Sequence, residues 1–141
     1  MANGIIFATD AWIKRLGAEC NSSRAYQEAA KNWEGDFLFI IEPDELQQDP
    51  SYMYMDLYHG QCRQAFLARN PAELDPEFRI SGPLRIWRAI AQKEMDPIKA
   101  LLTRQLKVNG NISKIMRNVR AANELVNCTT RFKTIFPSDQ P

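Results

Sequence analysis

Histidine is almost missing: the 141 residues contain one, His59. No catalytic triad involving histidine can be built without it, and no HExxH or Cys/His zinc pattern occurs. His59-Gly60 sits between two apolar-patterned stretches and reads as a tight turn. Cysteine is scarce as well. Cys20, Cys62 and Cys128 form an odd count with no CxxC pair. They read as free thiols in a reducing compartment, which points to a cytoplasmic location. Long apolar runs are lacking; the longest, Phe37-Leu38-Phe39-Ile40-Ile41, falls far short of the roughly 20 residues needed to span a bilayer. No basic segment precedes Ile5-Ile6-Phe7-Ala8, so no secretory signal is read. GxGxxG and P-loop patterns are absent, and Asn109-Gly110-Asn111 is explained by turn chemistry as well as by anion binding. Glu42, Asp44, Glu45 and Asp49 lack the spacing and loop glycine of an EF-hand. The expectation is no cofactor and no metal.

Net charge is also lacking, with 18 basic residues against 17 acidic ones. The distribution is uneven. Residues 1–75 hold 6 Lys/Arg and 12 Asp/Glu, whereas residues 76–141 hold 12 and 5. Such asymmetry marks a charged partner surface, or simply two halves that interleave in one fold. The basic half carries no aromatic platform of the RNA-binding type, so no nucleic-acid partner is expected. What is present is ordinary globular composition, 45% hydrophobic and 25% charged, in a length suited to one core. The chain is read as a single domain, 1–141, with its core over about 10–127 and a tail at 128–141.

The hydrophobic pattern divides this length. Thr9 or Asp10 caps a helix running to about Glu19, and Ser22 or Ser23 caps a second to about Asn32. Tyr26, Ala29, Ala30 and Trp33 give the second a buried stripe. Phe37–Ile41 is a strand apolar on both faces. Tyr52–Tyr58 alternates, with Met53, Met55 and Leu57 on one face and Tyr52, Tyr54, Asp56 and Tyr58 on the other. Gln61–Arg69 pairs with it as a hairpin, placing Cys62, Phe66 and Ala68 together, and Phe78–Ile80 adds a short strand. Gly82-Pro83 and Asp96-Pro97 each open a helix. Leu106–Val108 is extended. A last helix from Asn111 carries Ile112, Ile115, Met116 and Val119 on one side, with Lys114, Arg117 and Arg120 roughly opposite. Runs of strands followed by runs of helices indicate an α+β fold.

Two resources stand out. Asp56 is the one carboxylate inside an aromatic and apolar strand, and it is either a solvated side chain or a general base raised by burial. Flexible apolar mass is abundant in Met53, Met55, Met95 and Met116, beside Phe37, Phe39, Phe66 and Trp87. Methionine adapts to irregular space, so these residues fill a core or line a hollow.

The segment Met95-Asp96-Pro97-Ile98-Lys99-Ala100-Leu101-Leu102, then Leu106-Lys107-Val108-Asn109-Gly110-Asn111, then Ile112 to Val119, resembles the C-terminal signature of the sterol carrier protein type 2 domain family. That signature is a helix opened by Asp-Pro, a Leu-Lys-hydrophobic strand, a glycine turn and a final amphipathic helix. Asp56 followed four residues later by Gly60 is similar to the family's strand Asp and hairpin Gly. The order of elements matches over about 10–127.

This resemblance implies a five-stranded, mainly antiparallel mixed sheet covered by helices. It also implies an apolar tunnel holding a sterol, fatty acid, fatty acyl-CoA or phospholipid without a chemical step. Phe37, Phe39, Met53, Met55, Leu57 and Phe66 are then expected in the sheet side of the tunnel. Trp87, Ile98, Leu102, Ile112 and Met116 are expected in the helical side. Lys114, Arg117 and Arg120 are expected to face anionic membranes. Two other readings stay open: an isomerase of a steroid-like ketone with Asp56 as base, and an interaction module with a vestigial cavity. Monomer and weak dimer both remain open.

Overall fold

The computed structural model describes residues 4–45 and 47–137. Residues 1–3, Leu46 of the Pro43–Pro50 loop, and 138–141 at the end of the expected tail lie outside it. Two helices come first. Helix α1, Asp10–Ser22, is capped by the Thr9 hydroxyl, which accepts from the Trp12 N–H. Helix α2, Arg24–Ala29, is capped by Ser23, which accepts from the Tyr26 N–H. Both caps satisfy backbone donors that a helix start leaves without partners.

The sheet follows. Strands β2 (Glu34–Glu42), β3 (Ser51–Tyr58), β4 (Gln61–Leu67), β5 (Phe78–Pro83) and β6 (Lys107–Asn109) lie in the order β4-β3-β2-β5-β6. Only β2 and β5 run parallel. This is the expected five-stranded, mainly antiparallel mixed sheet of an α+β fold. The β3–β4 turn has φ of 50° at His59 and 80° at Gly60, the left-handed pair that a two-residue hairpin requires. A side chain at Gly60 would also meet the Gln27 carbonyl oxygen at 2.7 Å.

A bulge between Asp56 and Leu57 shifts the β3–β4 register: Leu57 pairs with Cys62 and Asp56 with Gln64. One extra residue reverses the alternation along β4. Phe66 therefore falls opposite Tyr54, the two rings 4.9 Å apart on the outer face. Simple alternation had grouped Phe66 with Cys62, which faces inward.

Helix α1 runs along the free edge of β4 and is tied to it at both ends. Asp10 Oδ1 accepts from the Leu67 N–H at 2.9 Å. Asn21 Oδ1 accepts from the Cys62 N–H at 2.7 Å, and its Nδ2 donates to the Cys62 carbonyl at 3.0 Å. The opposite edge, β6, is only 3 residues long.

Helices α3 (Leu84–Ala91), α4 (Pro97–Leu102), α5 (Ile112–Met116) and α6 (Val119–Thr129) cover the inner face. Asp96 caps α4 and Asn111 caps α5 through their side-chain oxygens. The last helix is two pieces: α5 ends in a cap at Arg117, and Asn118 turns the chain into α6. Two short strands, β1 (Ile5–Ile6) and β7 (Thr134–Ile135), pair in parallel outside the sheet. Trp12 Nε1 donates to Thr134 Oγ1 at 2.9 Å and the Phe7 and Phe136 rings meet at a tilt, 5.1 Å apart, so the tail has ordered structure through Phe136. No helix among the described residues is long and apolar enough to cross a membrane.

Candidate functional site

The inner face of the sheet and the helices over it do not close completely. An apolar cavity of about 140 Å³ remains between them. Phe37, Phe39, Met53 and Leu57 form its floor, with Ile80 from β5. The strand alternation that makes Met53 and Leu57 neighbours on one face is the one read from Tyr52–Tyr58. Phe37 stacks on Phe39 at 5.3 Å and on Phe78 at 5.2 Å. Trp87 from α3 meets the Phe39 ring edge-on at 5.7 Å. The roof consists of Ile98 and Leu101 from α4, Ile115 from α5, and Ala121, Ala122, Leu125 and Val126 from α6. Trp12, Leu16, Tyr26 and Trp33 close the end beneath α1 and α2.

The polar atoms in this wall are turned into the protein. Trp33 Nε1 donates to the Gly35 carbonyl at 3.0 Å. Trp87 Nε1 is shared between the Ile40 and Gly82 carbonyls, at 3.1 and 3.0 Å. Asn118 Nδ2 donates to the Lys114 carbonyl at 2.8 Å, and Thr129 Oγ1 to that of Val126 at 2.6 Å. The indoles thus offer ring faces to the hollow while their N–H groups stay bonded. All three tryptophans of the chain lie in the wall.

Six of the residues expected from the sequence are in the wall: Phe37, Phe39, Met53, Leu57, Trp87 and Ile98. Five are not. Phe66 is on the outer face because of the bulge. Met55 is buried on the inner face but pairs with Ala65, which lies against Gly17 of α1, so helix packing encloses it away from the hollow. Leu102 is 64% exposed at the end of α4. A helix of 6 residues buries a narrow stripe, here Ile98, Ala100 and Leu101. In α5 the single turn directs Ile115 inward, leaving Ile112 and Met116 half-buried beside it.

The expected cationic set also divides. Arg117 and Arg120 are exposed. Lys114 is held by the protein: its Nζ donates to Glu77 Oε2 at 2.7 Å and to the Glu34 carbonyl, and lies 4.9 Å from the Trp33 ring centre. The break between α5 and α6 points it back to the sheet edge.

Asp56 is on the outer face, away from the cavity. Arg63 grips both its oxygens, Nε to Oδ2 at 3.0 Å and Nη2 to Oδ1 at 3.2 Å. Around it is an open polar hollow with Asp36, Tyr54, Glu77 and Lys114. Tyr54 donates to Asp36 Oδ2 at 2.7 Å, and burial, then this bond, raises its phenol above the ordinary range. His59 Nε2 is 2.8 Å from Glu34 Oε1. Asp56 is thus held in a two-pronged ion pair on the face of the sheet opposite the apolar cavity. Among the described residues no group of three His, Cys, Asp or Glu side chains could hold a metal ion.

The sequence reading missed Trp12, Tyr26, Trp33 and the α6 residues Ala121, Ala122, Leu125 and Val126 as wall residues. The buried stripe of Tyr26, Ala29, Ala30 and Trp33 was the available signal for the α2 end. The small residues Ala121 and Ala122 leave the space that larger ones would fill.

A five-stranded β4-β3-β2-β5-β6 sheet roofed by helices over an apolar hollow defines the class as an α+β fold with an interior apolar site. The profile of the SCP-2 sterol transfer family matches residues 13–123, and the chain belongs to that family. A crystal structure of sterol carrier protein 2 is 29% identical with a TM-score of 0.81, covering 89% of this chain and 98% of its own. The solution structure of a conserved hypothetical protein from Thermus thermophilus, described as a possible sterol carrier protein, is 27% identical with a TM-score of 0.84. It covers 99% of this chain and 100% of its own. A palmitated SCP2L2 from Aedes aegypti shares the fold at 15% identity, with a TM-score of 0.55, over 82% of this chain and 90% of its own. No curated protein matches the chain. Family membership supports lipid binding or transfer as the general function, on a fold that is generally non-catalytic.

Proposed function

We propose that the protein holds the apolar part of one lipid in this cavity and carries it between membranes without a chemical step. The ligand is a sterol, fatty acid, fatty acyl-CoA or phospholipid. The observation that carries this reading is the wall itself: Phe37, Phe39, Met53, Leu57, Trp87 and Ile98 face one hollow, with the nearby indole N–H groups turned away. Burying an acyl chain contributes roughly 0.8 kcal/mol per methylene. About ten methylenes therefore supply about 8 kcal/mol of apolar burial, from which the costs of association are subtracted.

The hollow of about 140 Å³ is smaller than the roughly 300–1,000 Å³ of pockets that enclose a whole drug-sized ligand. Entry of a long chain therefore has to separate α4 and α6 from the sheet. Arg117 and Arg120 are the exposed cations that would meet an anionic membrane during transfer, and added salt then weakens association with anionic vesicles.

Organic extraction of the purified protein followed by lipid mass spectrometry, with a denatured blank, tests the reading. A stoichiometric lipid is expected. A protein that yields none and takes up no fluorescent fatty acid overturns it.

A further inference from the structure

The uneven charge of the sequence is sorted by the fold. The helical cover with β6, residues 84–129, holds 9 Lys/Arg and 3 Asp/Glu, whereas the strands and loops of residues 34–77 hold 2 and 10. The polar hollow of Glu34, Asp36, Asp56 and Glu77 lies on the outer face of the sheet, opposite the cavity. Two of these acids reach back to the cover: Glu42 comes within 4.0 Å of Lys107, and Asp44 accepts from the Arg85 N–H. Lys99, Arg104, Arg117 and Arg120 are exposed, and among the described residues none of them has a carboxylate within ion-pair distance. The side of the molecule that roofs the cavity is therefore basic, and the opposite side acidic.

The roof also carries the most exposed large apolar side chain among the described residues. Leu102 is 64% exposed, against 45% for Ile6 in β1 and 38% for Tyr58, over which Arg63 lies. A single surface leucine is ordinary; the place of this one is not. It ends α4, whose Ile98 and Leu101 line the cavity and which has to part from the sheet for a long chain to enter. Residues 102–105 are exposed in succession. Lys99 is one turn before Leu102, on the same side of the helix. Arg104, with φ of 61°, reverses the chain just after it, its N–H donating to the Leu101 carbonyl at 3.2 Å. An apolar tip between two cations suits a surface that is anionic outside and hydrocarbon within. The acidic face of a second copy would match the cations but offers Leu102 only the charged hollow around Asp56.

We propose that the end of α4 is the tip by which the protein docks on an anionic bilayer, Leu102 entering the acyl layer while Lys99 and Arg104 meet the lipid phosphates. The helix that bounds the cavity is then the helix that touches the membrane, and a lipid passes between bilayer and cavity beside α4. Arg117 and Arg120, on the same cover, add to the attraction at a distance. The proposal rests on the reading that the cavity takes a lipid.

The test is partition onto vesicles of phosphatidylcholine with phosphatidylserine, and of phosphatidylcholine alone, read by co-sedimentation. Uptake of a fluorescent fatty acid in solution, without vesicles, is measured beside it. Leu102→Ser is expected to weaken partition onto the anionic vesicles about tenfold, since it takes a leucine out of the acyl layer. Leu102→Trp is expected to strengthen it, because tryptophan favours the membrane interface. Lys99→Gln combined with Arg104→Gln is expected to weaken it about tenfold and to flatten its dependence on salt. All these variants are expected to take up the fatty acid in solution as the parent does, which also shows that they fold. Partition unchanged in both Leu102 variants overturns the proposal. So does equal partition onto both kinds of vesicle, or a parent that self-associates at low salt and leaves the vesicles unbound. A parent that takes up no fatty acid in solution removes the lipid-holding reading, and the proposal with it, whatever the partition shows.

Discussion

Ala121 on α6 is 8% exposed and lies in the cavity wall. Ala100 on α4 is fully buried and lies outside it. Replacing each with leucine adds the same atoms to two different surroundings. At Ala121 the new carbons enter a hollow of about 140 Å³, and at roughly 0.8 kcal/mol per carbon they bury about 2 kcal/mol of apolar surface. At Ala100 they enter packed space and force strain, typically about 1–3 kcal/mol of destabilisation. For a domain of this length 1 kcal/mol corresponds to about 4 °C in Tm. Thermal unfolding should therefore show Ala121→Leu several degrees above the parent and Ala100→Leu several degrees below. Uptake of a fluorescent fatty acid should fall at least tenfold in the first. Equal destabilisation by both substitutions would refute the reasoning, because it would mean that Ala121 also faces filled space.

Three further outcomes follow from particular contacts. Gly110 has φ of 142°, and a Cβ there would meet Phe78 Cδ1 at 2.5 Å and the Glu77 carbonyl oxygen at 2.9 Å; Gly110→Ala should cost about 2 kcal/mol in denaturant titration. Trp87→Phe removes the donor shared by the Ile40 and Gly82 carbonyls and should cost about 1 kcal/mol, with part of the ligand-dependent fluorescence change lost. Hydrogen bonds from Arg15 and then Arg131 hold the Glu19 carboxyl below its ordinary value of 4.5. Its contribution is thus complete above that value and lost as pH falls through the lower folded value. Glu19→Gln should lower stability by up to about 1 kcal/mol at pH 7 and by nothing once both carboxyl states are protonated, read from melting curves across pH.

The sheet was legible because its signals are local. The alternation of Tyr52–Tyr58 put Met53 and Leu57 on the inner face, and the Asp-Pro and Asn caps marked α4 and α5. Phe66 was misread because a bulge moves the alternation by one residue, and its position depends on the partner strand. Lys114 was misread because an unbroken helix was assumed; the break at Arg117 and Asn118 aims it at Glu77, 37 positions earlier. Leu102 shows the limit of counting apolar positions in a short helix, where only one stripe is covered. The pairing of β1 with β7 joins residues at opposite ends of the chain, and no local pattern announces it. Tyr26 belongs to a stripe legible in the sequence, and the structure buries it in the cavity wall.

The bonds from Asp10 and Asn21 to the rim of β4 have a consequence for association between copies. An open rim presents a row of amides and carbonyls on which a foreign strand can grow. Here two side chains of α1 occupy Leu67 and Cys62 at either end of that row, and the helix body obstructs the length between. At the far rim, β6 offers too short a template for a stable addition. The five-stranded sheet thereby has both of its edges guarded against extension by a foreign strand. The molecule keeps the long edge of its main sheet covered by the first helix of its own chain.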